Sequence, residues 1–322
     1  MRTIVYGVGA VGGVVAGGMI RSGQDCIGIA RGGRLDAIRQ NGLTLRWPEG
    51  VETVMLPCVG SPSEIDWRPD DAILLVMKSQ QTQAALHDLR AADVTDQPIF
   101  CTQNGVANEQ MALRFFPNVH GVNVMLPAEY VALDEAVGFC SPCFGVFDIG
   151  RFPSGADAAD DALAAALTKA GIMGCVTPDV MVQKYGKLIL NLGNIVEAAL
   201  GRGVDADDLV DALRDEGRQV LRDAGIAFAD VGKTDPRREQ MKIGSVEGAA
   251  RVGSSTTQSL MRGAGSIETD YLNGEIAMIA RLHGQEAPIN AAAACLASEL
   301  AASGAAPGSI TREVFLHRIG LA

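Results

Sequence analysis

The stretch Thr3-Ile4-Val5-Tyr6-Gly7-Val8-Gly9-Ala10-Val11-Gly12 decides the fold of this 322-residue chain. Its apolar opening, stopped by a glycine, reads as a short buried parallel strand. The small-residue segment from Ala10 to Ser22, closed by Gly23, reads as a helix. Gly7-x-Gly9-x-x-Gly12 therefore joins a strand to a helix with the spacing of a dinucleotide-binding turn. Gly7 permits the tight turn, Gly9 lets the backbone approach a pyrophosphate, and Gly12 lets the helix close on the sheet. The helix N-terminus at Ala10 and Val11 supplies free N–H groups and a partial positive charge to the phosphates.

Outward from this turn the first half alternates strand and helix. Asp25 to Ala30 reads as a second strand and Arg34 to Gln40 as a short helix, while Asn41-Gly42 leads into a hairpin of Leu43 to Leu45 and Glu52 to Leu56. Asp71 to Met77 is an almost wholly apolar strand, Thr82 to Leu89 a helix and Pro98 to Cys101 a further strand. That rhythm predicts an α/β domain with a Rossmann-type, doubly wound parallel sheet. From Pro178 the period changes. Val180 to Leu200, Asp205 to Ala224, Ser254 to Gly263, Ile267 to His283 and Ala291 to Ser303 fit the 3.6-residue repeat, with no strand pattern between them. The expected organisation is a cofactor-binding domain over 1–177 and an all-helical domain for substrate and dimerisation over 178–322.

The end of the second strand chooses the cofactor. NAD sites place an acid there for the ribose 2′-hydroxyl. This chain has Ile29-Ala30-Arg31-Gly32-Gly33-Arg34, with no acid until Asp36. Arg31 can pair bidentately with a 2′-phosphate and Arg34 follows closely, which points to NADP(H).

Composition narrows the function classes. Hydrophobic residues make up 48% and charged residues 20%, which is globular and excludes a disordered chain. The net charge of −11 repels phosphate backbones and anionic lipid, so neither a nucleic-acid nor a membrane partner is expected. No apolar run reaches the ~18–20 residues of a membrane span. The glycine turn explains the apolar N-terminus better than a signal peptide does. Seven scattered cysteines fit a reducing compartment rather than a disulfide framework, and the expected location is cytoplasmic. Cys140-Ser-Pro-Cys143 has no second ligand pair and lies in strand-like sequence. It reads as thiols on an extended segment, and no metal site is expected.

Chemistry-bearing residues recur at strand ends and inside apolar helix. Lys78 follows the strongest strand and Asn104 the next one, so both fall at the carboxyl edge where open α/β sheets bind ligands. Lys187, Asn191 and Asn194 are spaced i, i+4 and i+7 within Lys-Leu-Ile-Leu-Asn-Leu-Gly-Asn, which places them on one helical face. A lysine and two amides set among leucines suit a polar cleft better than an apolar core. Glu268 and Asp270 form a further polar cluster in Ser266 to Gly274.

In these features the chain resembles the ketopantoate reductase family. The resemblance rests on Gly7-x-Gly9-x-x-Gly12, Lys78, Asn104-Gly105, Lys187-Leu-Ile-Leu-Asn191 and Glu268-Thr-Asp-Tyr-Leu-Asn273-Gly274, with His283-Gly284 and Pro288 behind them. It implies an NADPH-dependent reductase of a small 2-oxoacid, ketopantoate or a close analogue. Lys187 would be the catalytic lysine that protonates the ketone oxygen, and Glu268 the glutamate that holds substrate and supports proton transfer. Asn191 and Ser255 would bind the substrate's hydroxyl and carboxylate, with Asn194 beside them. Lys78 and Asn104 would lie near the nicotinamide and Arg31 at the 2′-phosphate. The chain departs from the family where a second asparagine is expected four residues after the first: that position is Ile195, and the amide falls at Asn194. Two other readings stay open, an opine or 3-hydroxyacid dehydrogenase on the same plan and an NADPH-binding sensor without catalysis.

Overall fold

The computed structural model describes residues 1–232, 235–263 and 265–322. It divides into two compact units. Unit 1 holds residues 1–104, 108–183 and 233–251, and unit 2 holds 105–107, 184–232 and 252–322.

The strands of unit 1 are β1 (Arg2–Tyr6), β2 (Cys26–Ile29), β3 (Leu43–Trp47), β4 (Gly50–Val54), β5 (Cys58–Val59), β6 (Asp71–Leu75) and β7 (Ile99–Cys101), then β8 (Val119–Met125), β9 (Ala128–Glu129), β10 (Glu135–Gly138), β11 (Cys140–Pro142), β12 (Gly145–Arg151), β13 (Ile172–Val176) and β14 (Met241–Ile243). Eight form the main sheet, ordered β13-β12-β8-β7-β6-β1-β2-β5. From β8 to β5 the pairing is parallel, with the strand order of a doubly wound dinucleotide fold. The sheet is mixed rather than wholly parallel, because β12 runs antiparallel to β8 while β13 runs parallel to β12. The central strands are buried on both faces, which is why they read as unbroken apolar runs. Helix α1 (Ala10–Arg21) packs between this sheet and a smaller one of order β4-β3-β10-β9. Helices α2 (Gly32–Asn41), α3 (Thr82–Ala91), α4 (Asn108–Leu113) and α5 (Ala158–Lys169) complete the unit.

Three residues gather metal-ligand atoms within 4.8 Å of one another: His120, Asp157 and Asp160. Their oxygens are already used in capping. Asp157 and Asp160 form a reciprocal box at the α5 N-terminus, Asp160 receives the His120 Nδ1 at 2.8 Å, and Arg151 pairs with Asp157 at 2.7 Å.

Unit 2 is helical, but two expected helices are broken. Instead of one helix over 180–200 there are α6 (Val180–Asn191) and α7 (Asn194–Leu200), separated at Leu192-Gly193. Instead of one helix from Ile267 there is a 3₁₀ turn over Glu268–Tyr271 followed, after Leu272, by α10 (Asn273–Leu282). Between these pieces lie α8 (Asp207–Asp223) and α9 (Ser255–Met261), and after them α11 (Pro288–Ala302) and α12 (Arg312–Arg318). No helix among the described residues is long and apolar enough to cross a membrane.

The expected single boundary at 177/178 differs from the observed division. The chain leaves unit 1 inside α6 and returns for a strap that includes β14, a strand that the second half's periodicity hides. β14 pairs antiparallel with β11, joining Cys140 to Ile243. Met241 packs with Cys140 and Val146, while Arg237 pairs with buried Asp148 and with Asp235. A three-residue strand is too short to carry a pattern of its own, and its apolar contacts lie a hundred positions upstream.

Candidate active site

The residues expected to hold the cofactor belong to unit 1, at or just past the carboxyl ends of β1, β2, β6 and β7, where the strand order reverses. Gly7 has φ +107°, and a Cβ there would stand 2.7 Å from the Met77 backbone nitrogen at the end of β6. A Cβ on Gly12 would collide with the Gly7 carbonyl oxygen. Those two glycines are required by the protein's own packing. Gly9 is different: a Cβ on it meets nothing within 4 Å. Its bareness leaves open space against the first turn of α1, which has no side-chain cap and no acidic residue. Uncapped N–H groups beside an unfilled concavity fit a pyrophosphate.

The two arginines after β2 part company. Arg34 is buried, and its guanidinium donates to the carbonyls of Val8, Gly9 (3.3 Å), Ala132 (3.2 Å), Leu133 (2.9 Å) and Glu135 (3.2 Å) beneath the Tyr130 ring. Instead of reinforcing a phosphate contact, it clamps the glycine turn to the segment before β10. Arg31 is exposed at 63% of its side chain and donates to Asp88 at 2.8 Å and to the Tyr6 hydroxyl at 3.0 Å.

Lys78 is half-buried and precedes a 3₁₀ turn over Ser79–Gln81. Asn104, also half-buried, accepts at its carbonyl from Ser79 Oγ (3.4 Å) and Asn108 Nδ2 (3.2 Å). Asn108 also donates to Ser79 Oγ (3.1 Å) and accepts from Thr82 Oγ1 (2.8 Å). This buried network ties the two strand-end loops together. The sequence reading missed Ser79, Thr82 and Asn108, although polar residues just after two neighbouring apolar strands were the available signal.

The residues expected to act on the substrate, Lys187, Asn191, Asn194, Ser255 and Glu268, belong to unit 2. Lys187 is half-buried on α6; Lys184, one turn earlier, is buried. Asn191 ends α6 at 9% exposure, and its Nδ2 is buried without a hydrogen-bond partner among the described residues. Asn194 opens α7, beyond the break at Leu192-Gly193. Of the expected common face, Lys187 and Asn191 therefore share α6, while Asn194 belongs to the next helix. Glu268 is buried at 5% and begins its 3₁₀ turn. Ser255 is half-buried and is the first residue of α9.

Two side chains hold these pieces around the break. Asn273 donates to the Leu192 carbonyl (3.1 Å) and to Asn290 Oδ1 (2.9 Å). Asn290 in turn donates to the Leu213 carbonyl (2.9 Å) and to Glu216 (2.8 Å). Glu197 on α7 accepts from the Ser254 backbone (2.6 Å) and from Thr257 Oγ1 (2.9 Å), fixing the start of α9. Asn273 thus links the turn that carries Glu268 to the end of the helix that carries Lys187 and Asn191. Its role, and that of Glu197, escaped the sequence reading.

Comparisons with known proteins identify the family and the fold. The family model described as ketopantoate reductase PanE/ApbA matches residues 3–131, and its C-terminal companion matches residues 179–301. The 2-dehydropantoate 2-reductase of Pyrococcus horikoshii is 27% identical over 298 residues, which is 90% of this chain and 94% of that protein. Among solved structures, a PanE/ApbA family ketopantoate reductase from Ralstonia eutropha superposes with a TM-score of 0.77 at 27% identity, covering 94% of this chain and 99% of that one. The ternary structure of D-mandelate dehydrogenase with NADH and anilino(oxo)acetate has a TM-score of 0.75 at 22% identity, covering 94% and 98%. At that identity it speaks for the fold alone.

Proposed function

The chain belongs to the ketopantoate reductase family, and on that premise we propose that it reduces a small 2-oxoacid, ketopantoate or a close analogue, to the 2-hydroxyacid with NADPH. The observation that carries this reading is the buried Asn191 amide with no acceptor among the described residues, one turn from half-buried Lys187. Burying an amide donor without a partner costs about 1–3 kcal/mol, a cost offset when a substrate oxygen accepts from it.

When bound, the reduced nicotinamide supplies a hydride to the C2 carbonyl carbon. Gly9 and the α1 N-terminus would hold the pyrophosphate, Arg31 would take the 2′-phosphate, and Lys78 and Asn104 would lie near the nicotinamide. Charge grows on the carbonyl oxygen as the hydride arrives, and Lys187 neutralises it by donating a proton from Nζ. Glu268 positions the substrate and supports that transfer. Asn191 donates to the substrate's hydroxyl end, and Ser255 receives its carboxylate. Asn194, beyond the helix break, is the position through which the substrate would differ from ketopantoate itself. NADPH oxidation across 2-oxoacids of graded size, beginning with ketopantoate, tests the reading. No turnover with any of them would leave a binding protein instead.

The cofactor assignment has its own test. Arg31→Ala is expected to weaken NADPH binding by ~1.5–3 kcal/mol, the worth of a charge-assisted pair, while NADH binding holds. Isothermal titration with both cofactors reads this directly, and equal losses would remove Arg31 from the 2′-phosphate.

A further inference from the structure

β2 ends without the acid that NAD sites place there, yet a carboxylate reaches the same spot from another element. Asp88, on α3, accepts from Arg31 Nη2 at 2.8 Å and from the Tyr6 hydroxyl at 3.0 Å. Arg31 Nη2 also donates to the Tyr6 oxygen at 3.0 Å, so the three groups close a triangle. Tyr6 is its fixed corner, since it is buried at 4% exposure as the last residue of β1, immediately before Gly7. Its hydroxyl keeps its proton, with a pKa pushed up to about 12 by burial first and by the bond to Asp88 second. Arg31 and Asp88 are open to solvent, with side chains 63% and 43% exposed.

We propose that Asp88 is a specificity-determining residue that narrows the preference for NADPH over NADH by competing with the 2′-phosphate for Arg31. This rests on the assignment of Arg31 to that phosphate. A phosphate dianion approaching Arg31 meets a guanidinium already committed to a carboxylate. It must share Nη2 with a like charge or displace it, and both cost binding free energy. The 2′-hydroxyl of NADH is neutral and carries no such conflict. Tyr6 matters because it ties Asp88 to the sheet, so the carboxylate does not simply swing away.

Asp88→Asn keeps the shape and an acceptor for both Tyr6 and Arg31 but removes the charge. It is expected to tighten NADPH binding about tenfold at low ionic strength, with NADH within about twofold and the NADPH gain shrinking as salt is added. In an Arg31→Ala background the same substitution is expected to lose most of its effect. Dissociation constants for the four proteins with both cofactors, at two salt concentrations and with melting temperatures recorded, carry the test. Weaker NADPH binding in Asp88→Asn would show that Asp88 orients Arg31 for the phosphate, and would overturn the proposal. So would equal changes for both cofactors, or none. The underlying assignment is read separately from Arg31→Ala alone. If that variant loses NADPH selectively while Asp88→Asn gains nothing, only the proposal about Asp88 fails. Equal losses of NADPH and NADH in Arg31→Ala overturn both.

Discussion

Lys187→Ala is expected to lower kcat by about 10²–10⁴-fold, the usual contribution of a positioned general acid. The NADPH dissociation constant should hardly change, because the groups assigned to the dinucleotide belong to unit 1 and Lys187 to unit 2. Residual activity should lose the pH dependence that this group's ionisation imposes. Lys184 is the internal control: it shares α6 but is buried at 3% exposure, whereas Lys187 is half-open. Its alanine variant is expected to lose stability more than rate. Single-turnover hydride transfer in the two variants decides the matter. Normal turnover in Lys187→Ala beside a dead but folded Lys184→Ala would move the proton donor one turn back. An unchanged rate in both would take it off this helix altogether.

The second large effect is expected at Gly9. Gly9→Val should abolish NADPH binding while leaving the melting temperature close to that of the parent, since the new Cβ meets no protein atom within 4 Å. The side chain occupies the space against the α1 N-terminus that a pyrophosphate would need. Gly12→Ala is the contrasting case. Its Cβ collides with the Gly7 carbonyl oxygen, so the loss falls on folding, at about 1–3 kcal/mol or more. Calorimetric melting and cofactor titration on the two variants separate the roles. Near-native NADPH affinity in Gly9→Val would reduce the glycine turn to a structural element.

Much of unit 1 was legible because its physics is local. Parallel strands buried on both faces leave continuous apolar runs, and a turn that needs φ +107° leaves a glycine at position 7. What stayed hidden depends on partners remote in sequence. The break between α6 and α7 lies in a stretch, Leu190-Asn191-Leu192-Gly193, that reads as continuous apolar helix. It is stabilised by Asn273, which donates to the Leu192 carbonyl from 81 residues downstream. That replacement bond lets the helix stop without stranding a buried acceptor. Arg31 and Arg34 could not be told apart by type or spacing. Burial separates them, since one meets a ring of carbonyls and the other an exposed carboxylate and the Tyr6 hydroxyl. The identity of Arg31's partner was equally out of reach, because Asp88 lies 57 positions away on another element.

The strap over residues 235–251 also bears on how the protein is made. A nascent chain that has emerged as far as β13 already holds the whole main sheet, yet part of its apolar surface has no cover. Val137 and Phe139 await Val246, and Cys140 and Val146 await Met241. Those partners leave the ribosome only after the helices between Lys184 and Asp223, so the sheet spends that interval with sticky flanks exposed. The pairing of Cys140 with Ile243 also closes a long loop, whose entropy must be lost before the contact is made. A gene fragment ending at residue 177 would hold the chain permanently at that stage. The smallest piece expected to stay soluble as a dinucleotide binder is therefore one in which residues 235–251 are grafted back through a short linker.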